Sequence, residues 1–216
     1  MLIAIDGACK RNGQPTCSSS GVAWIQTEDG RFLFKSRFET CSTNQRGEIN
    51  GLREALLFAS TEATKDEDII IVTDSEYLYN TVSLDWCFKW KNNNWVGATG
   101  PVKNADMWSD VCRLLEKLPG RVFMQWTKGH LLAYTPGSIN QAMRADPTGI
   151  ELYTRVLSIA NRGSERARLI KDFIRERVEH DKSTVPDEIA IEWLVANTVA
   201  DCLATYVVRI MDELQA

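Results

Sequence analysis

The chain has no Cys-x-x-Cys pair, only two histidines and no surplus of basic residues, and each shortage removes a class of function. Its six cysteines, Cys9, Cys17, Cys41, Cys87, Cys112 and Cys202, fall in no His/Cys spacing that suits zinc, so they read as reduced thiols. No basic N-terminal segment leads into an apolar stretch, and no run of about 18 uninterrupted apolar residues occurs, so neither export nor membrane spanning is expected. Together these features point to the cytoplasm. A formal charge of -4 excludes indiscriminate attraction of nucleic acid to the whole surface, because phosphate binding scales with the cations set against it. Any such contact is therefore local. Internal repeats and low-complexity tracts are also missing. What is there, 216 residues at 44% hydrophobic and 25% charged, suffices for one core with room for an added subdomain.

Short apolar segments at 2–5, 22–26 and 32–38 are divided by Gly, Ser and Asn turns, with Asp29-Gly30 a hairpin signal, and predict three antiparallel strands. From Asn44 to Ala59, Ile49, Leu52, Leu56 and Ala59 recur at helical spacing. Ile69 to Thr73 reads as a buried strand, followed by a helix from Ser75. Met107 to Leu118 predicts an amphipathic helix stopped by Pro119-Gly120, and Val122 to Thr127 another strand. Thr198 to Leu214 places Val199, Leu203, Tyr206, Val207, Ile210 and Leu214 on one helical face. The sum is an α/β chain, a mixed sheet with helices.

Acidic residues punctuate this pattern where they cost stability. Asp6 ends the run Leu2-Ile3-Ala4-Ile5 and Asp74 ends Ile69-Ile70-Ile71-Val72-Thr73, while Glu48 and Asp201 lie on helices that could aim at the same point. Carboxylates brought within a few ångströms repel and shift one another's pKa, so such a cluster persists where hard cations neutralise it. Mg²⁺ is the first expectation.

The segments Ile5-Asp6-Gly7-Ala8, Thr43-Asn44-Gln45-Arg46-Gly47-Glu48, Thr73-Asp74-Ser75-Glu76-Tyr77 and Lys128-Gly129-His130 occur in the order seen in ribonuclease H. Pro101-Val102-Lys103-Asn104, and Asn197 four residues before Asp201, extend the match. The chain thus resembles a free-standing type 1 enzyme of that family over about its first 130 residues and last 20. The resemblance implies a five-stranded mixed sheet and an endonuclease that cuts RNA in RNA/DNA hybrids, leaving 3′-hydroxyl and 5′-phosphate ends. It implies that Asp6 bridges two Mg²⁺ ions, with Mn²⁺ a possible substitute, that Glu48 and Asp74 complete one metal site, and that Asp201 helps hold the other. His130 would assist proton movement or product departure, a task suited to a near-neutral pKa. A non-catalytic hybrid-binding module and a DNA-directed nuclease of the same superfamily are the alternatives.

By motif position, Asn12, Thr43, Asn44 and Gln45 resemble residues that touch the sugar-phosphate backbone, although Asn12 equally suits a turn before Gly13 and Asn44 a helix N-cap. Glu76 stands where Gln is common. Trp86, Lys89, Lys91 and Lys103 lie in an acid-free stretch resembling a basic protrusion that grips substrate, while Asn92, Asn93 and Asn94 replace basic residues there. Trp86 and Trp90, four apart, share a helix face that also suits core packing. Between His130 and Asp201 the chain is long for the family. Residues 131–196 read as a helical insertion in a catalytic domain made of 1–130 and 197–216. Within it, a basic helix from Ser164 to Val178 carries Arg166, Arg168, Lys171, Arg175 and Arg177, either in water or as a second phosphate-binding surface. Thr184-Val185-Pro186-Asp187 looks like the start of a helix that could run unbroken to Asp201. His180 is expected to be solvated and idle. The chain is expected to be monomeric.

Overall fold

A computed structural model of the chain describes residues 1–132 and 134–215. Three long strands open it, β1 (Leu2–Lys10), β2 (Ser18–Gln26) and β3 (Phe32–Thr40), joined as an antiparallel meander. Gly30 sits at φ +81° in the turn that Asp29-Gly30 predicts. After helix α1 (Asn44–Glu62), β4 (Asp68–Thr73) pairs parallel to β1, with Ile3 opposite Ile71. The chain continues through α2 (Glu76–Ser83), α3 (Trp86–Asn92), the two-residue strands β5 (Val96–Gly97) and β6 (Gly100–Pro101), and α4 (Ala105–Leu115). Strand β7 (Arg121–Trp126) then pairs parallel to β4. The result is a five-stranded mixed sheet of order β3-β2-β1-β4-β7.

Side chains alternate across a strand, so β1 feeds two cores. Ile3 and Ile5 join Ile49, Leu52 and Leu56 of α1 and Trp108 and Val111 of α4 on one face. Leu2 and Ala4 join the other face, which is covered by α5 (Pro136–Ala145), α6 (Ile150–Ala160), α7 (Gly163–Asp181) and α8 (Asp187–Leu214). The long segment before Asp201 is therefore no appendage: Leu152, Val156, Leu169 and Phe173 share a core with Val22, Trp24 and Leu203. Trp24 stacks against both Phe32 and Tyr153, at 5.8 and 5.9 Å between ring centres. Helix α8 crosses position 196 without a break. By length and hydropathy α8 could cross a membrane, but 61% of its apolar window is buried inside the fold, as in the core helix of a water-soluble domain.

Two local expectations need correction, and one helix was not expected. Thr43, not Asn44, caps α1, its side chain accepting from the Arg46 N–H, and this frees the Asn44 amide for another partner. Helix α5 went unpredicted, although Thr135-Pro136 carries its signal: Thr135 accepts from Ser138 N–H, and Pro136 occupies the first turn, where a missing N–H costs nothing. The arginines of α7 are not a free phosphate surface. Arg168 pairs with Glu165 and Asp172, Arg175 with Asp172 and Glu176, and Arg166 with Glu188. Arg177 is buried.

Candidate active site

Asp6 lies within β1 and Asp74 just past the end of its parallel neighbour β4, so the sheet sets these two carboxylates side by side. Glu48 arrives from α1, which presses on the sheet because glycines face it. A Cβ on Gly7 would stand 2.2 Å from the Glu48 nitrogen, and one on Gly21 would stand 2.2 Å from the Gly47 oxygen. Asp201 comes from the middle of α8, one turn after the buried Asn197. Gly129 fits tightly against Asp74, whose Oδ2 would be 2.0 Å from any Cβ there.

The four acids feel one another. Burial first, then repulsion from Asp74 and Asp201 and more weakly from Glu48, lifts Asp6 well above the ordinary carboxylate range against the opposing Gly7 N–H, which donates to Oδ1 at 2.6 Å. Asp74 is also raised by burial, with His130 and the Asn197 side chain pulling it back and Asp201 pushing it up. Glu48 is raised by burial while accepting from Ser75 Oγ at 2.7 Å and from Asn44 Nδ2 at 2.9 Å. His130 is exposed, with backbone φ +57°, and its Nδ1 stands 3.3 Å from Asp201 Oδ2.

Among the described residues, no lysine or arginine forms an ion pair with any of the four acids. This all-oxygen, uncompensated donor set is the kind that hard divalent cations bind. The side chains as they stand do not form a closed ligand shell: no group of three or more His, Cys, Asp or Glu residues among those described could hold an ion without adjustment.

Beside the acids lie two adjoining depressions of about 570 Å³ each. Asn12, Thr43, Asn44, Gln45, Lys103 and Asn104 line one. The other is lined in part by Gln45, Tyr77, Trp86, Trp90 and Lys103. Trp86 and Trp90 are thus half-exposed groove walls, although Trp90 also packs edge-on against Trp108 at 6.1 Å. Lys89 and Lys91 line neither depression. Lys89 Nζ donates to the Leu84 carbonyl, and Lys91 pairs with Glu116.

A sequence model described as RNase H matches residues 1–155. The chain belongs to the ribonuclease H family. It is 35% identical over 129 residues to ribonuclease H of Actinobacillus succinogenes, covering 59% of this chain and 77% of that protein. It is 33% identical over 156 residues to ribonuclease H of Rickettsia bellii, covering 70% and 92%. A foamy viral protease-reverse transcriptase solved with an RNA/DNA hybrid shares the fold at TM-score 0.50 and 19% identity, over 58% of this chain and 17% of that one. As a ribonuclease H family member the chain is an endonuclease, and the family generally uses divalent metal ions.

Ser75 has a role that its place in the Thr73–Tyr77 motif does not announce: it caps α2 by accepting from Leu78 N–H and donates to Glu48. A serine directly after a strand-terminal Asp was the available signal. His180 was expected to be idle in water. Instead its side chain is 14% exposed, its ring stacks on Trp126 at 4.0 Å and 9°, and Nε2 lies 3.7 Å from Glu76. Helix α7 runs on to Asp181 and seats its end against the end of β7.

The loop bearing Asn12 is tied to the far end of α8. Asp212 accepts from Arg11 Nη1 at 2.9 Å and Ser18 Oγ at 2.9 Å, and pairs with Lys10 at 2.8 Å. Hydrogen bonds from Arg11, then Lys10, hold its carboxyl well below the usual range. A depressed folded pKa stabilises above the unfolded value of about 3.9 and loses that contribution as pH falls through the folded value. Asp212→Asn should therefore lower the urea midpoint at pH 7, with the gap to the parent narrowing in acid. A gap constant from pH 7 to pH 3 would refute this.

Proposed function

We propose that this chain hydrolyses the RNA strand of RNA/DNA hybrids with the aid of two Mg²⁺ ions, acting as a monomer in the cytoplasm and leaving 3′-hydroxyl and 5′-phosphate ends. The observation that carries this reading is the cluster of Asp6, Glu48, Asp74 and Asp201, uncompensated by lysine or arginine and set beside the groove. Asp6 would be shared between the ions, Glu48 and Asp74 would complete one set of ligands, and Asp201 would contribute to the other. Bound there, the ions supply activation of a water and stabilisation of the departing 3′ oxygen in an in-line displacement at phosphorus.

The protein supplies the rest. Ser75 and Asn44 fix the Glu48 carboxylate by donating to its two oxygens. His130, exposed next to Asp201, is free to move a proton or help product leave. Asn12, Asn44 and Gln45 offer short polar groups to the shallow minor groove, where the 2′-hydroxyl marks RNA. Lys103 faces phosphate from the wall shared by both depressions, and Trp86 offers a ring face beside it.

Strand-specific end-labelled hybrid, duplex DNA and duplex RNA, each with Mg²⁺, Mn²⁺ or a chelator, test the proposal. Cleavage of only the RNA strand of the hybrid, lost with the chelator, is expected. Cutting of duplex DNA, or hybrid binding without cutting, would overturn it.

A further inference from the structure

The loop that carries His130 has little to hold it from within. It leaves β7 at Trp126, turns through Lys128 and Gly129, and presents His130 with its side chain 78% exposed and its backbone left-handed. On the catalytic side it is met by Thr73, whose carbonyl accepts from Thr127 N–H at 3.0 Å, by Asp74 against Gly129 and by Asp201 beside His130; along its other side lies α7.

At the start of the loop, Arg177 donates to the Trp126 carbonyl at 2.8 Å and to Gln125 Oε1 at 2.7 Å, with its guanidinium over the Trp193 ring at 5.1 Å. His180 stacks on the Trp126 indole, whose Nε1 donates to the Asp74 carbonyl at 3.1 Å. In the middle, Lys128 Nζ stands 3.8 Å from Glu176. At the far end, Arg168 Nη2 donates to the Leu131 carbonyl at 3.1 Å, and Arg168 is itself held by Glu165 and Asp172. Of the four residues that touch the segment, Arg168, Glu176 and His180 are spaced in multiples of four and so follow one inclined row along the helix, with Arg177 beside it. From 168 to 180 a helix rises about 18 Å, enough to run beside the whole segment from Trp126 to Leu131, which at full extension would span about 17 Å. The contacts run in reverse order along the two segments, as an antiparallel splint requires.

We infer that α7 is a splint for the His130 loop, with Arg168 and Arg177 as positioning residues that act through His130. Their charges serve the chain itself: Arg177 is buried, and Arg168 is neutralised on its own helix. The inference rests on the reading that His130 takes part in the reaction.

Arg168 is half-exposed, so its replacement spares the core, and Arg168→Ala is the variant of choice. Its kcat for hybrid cleavage should fall about tenfold, part of the 10²–10⁴ a placed proton-transfer group contributes, with KM unchanged. Arg168→Lys, which keeps a donor, should recover most of that loss. In a His130→Ala background Arg168→Ala should cost nothing further. Independently of activity, backbone amide exchange at Gly129 and His130 should quicken in Arg168→Ala. Additive losses in the double variant, or an unchanged kcat in Arg168→Ala, would overturn the splint. If His130→Ala alone costs nothing, the role of His130 falls instead, and exchange alone decides: unchanged rates in Arg168→Ala then refute the splint.

Discussion

Asp6→Asn should abolish cation-dependent cleavage and, in the absence of cations, make the protein more stable. Both effects follow from one position. Asp6 is buried in β1 and repelled by Asp74, Asp201 and Glu48, so its carboxyl is held far above its usual range. A folded pKa raised above the unfolded one means that folding is penalised once pH exceeds about 3.9, and that the penalty persists at neutrality. Asparagine keeps the shape and the acceptor for the Gly7 N–H but not the charge. Under chelator at pH 7 the variant should melt above the parent, with the difference shrinking in acid. Mg²⁺ should then raise the parent's melting temperature more than the variant's, because a ligand stabilises only what binds it. Since a catalytic cation supplies several kcal/mol of transition-state stabilisation, removing Asp6 as its proposed ligand should cost about 10³-fold or more in rate. Activity near the parent's, or a variant that melts lower under chelator, would count against the whole carboxylate assignment.

How far the sequence foretold this site depends on the kind of residue. Asp6 and Asp74 were legible because each follows a β-branched run whose pairing the sheet then enforces. The five strands and α1, α4 and α8 were legible from their period. What the helices of 131–196 cover was not, because an apolar stripe such as Leu169 and Phe173 names no partner. Only the fold shows that it completes the second face of the sheet. The neutralised arginines were partly legible: Glu165, Arg168 and Asp172 are three and four apart, the spacing at which opposite charges meet on a helix. His180 could not be read, since its stacking on Trp126 joins elements 54 residues apart (180 - 126). Lys103 was separated from Lys89 and Lys91 only by the groove, which two of the three do not line.

Gly7→Ala should be strongly destabilising for so small a substitution, and it should damage catalysis through Glu48. The new methyl group would meet the Glu48 nitrogen at 2.2 Å, the Gly47 carbonyl carbon at 2.6 Å and the Glu48 Cα at 2.8 Å. All three are backbone atoms of α1, which cannot rotate out of the way as a side chain could. The helix must lift off β1, and Gly21, equally tight against Gly47 and Gly51, resists that shift from the neighbouring strand. Overpacking of this kind costs about 3 kcal/mol, at the upper end of the usual range because no rotamer change relieves it. For a chain of this size that is a drop in melting temperature of about 6–12 °C. At a temperature where the variant is still folded, displacement of Glu48 from Ser75 and Asn44 should lower kcat by about 10²-fold, as misplacement of a site group by about an ångström does. Gly137→Ala is the matched control. Gly137 is exposed in the first turn of α5 with nothing among the described residues within 4 Å of its would-be Cβ, so alanine there should be neutral or stabilising by up to about 1 kcal/mol. Thermal melts and single-turnover cleavage of both variants decide the matter. A Gly7→Ala protein that melts with the parent and cleaves at the parent's rate would mean that α1 is not wedged against the sheet as the glycines require.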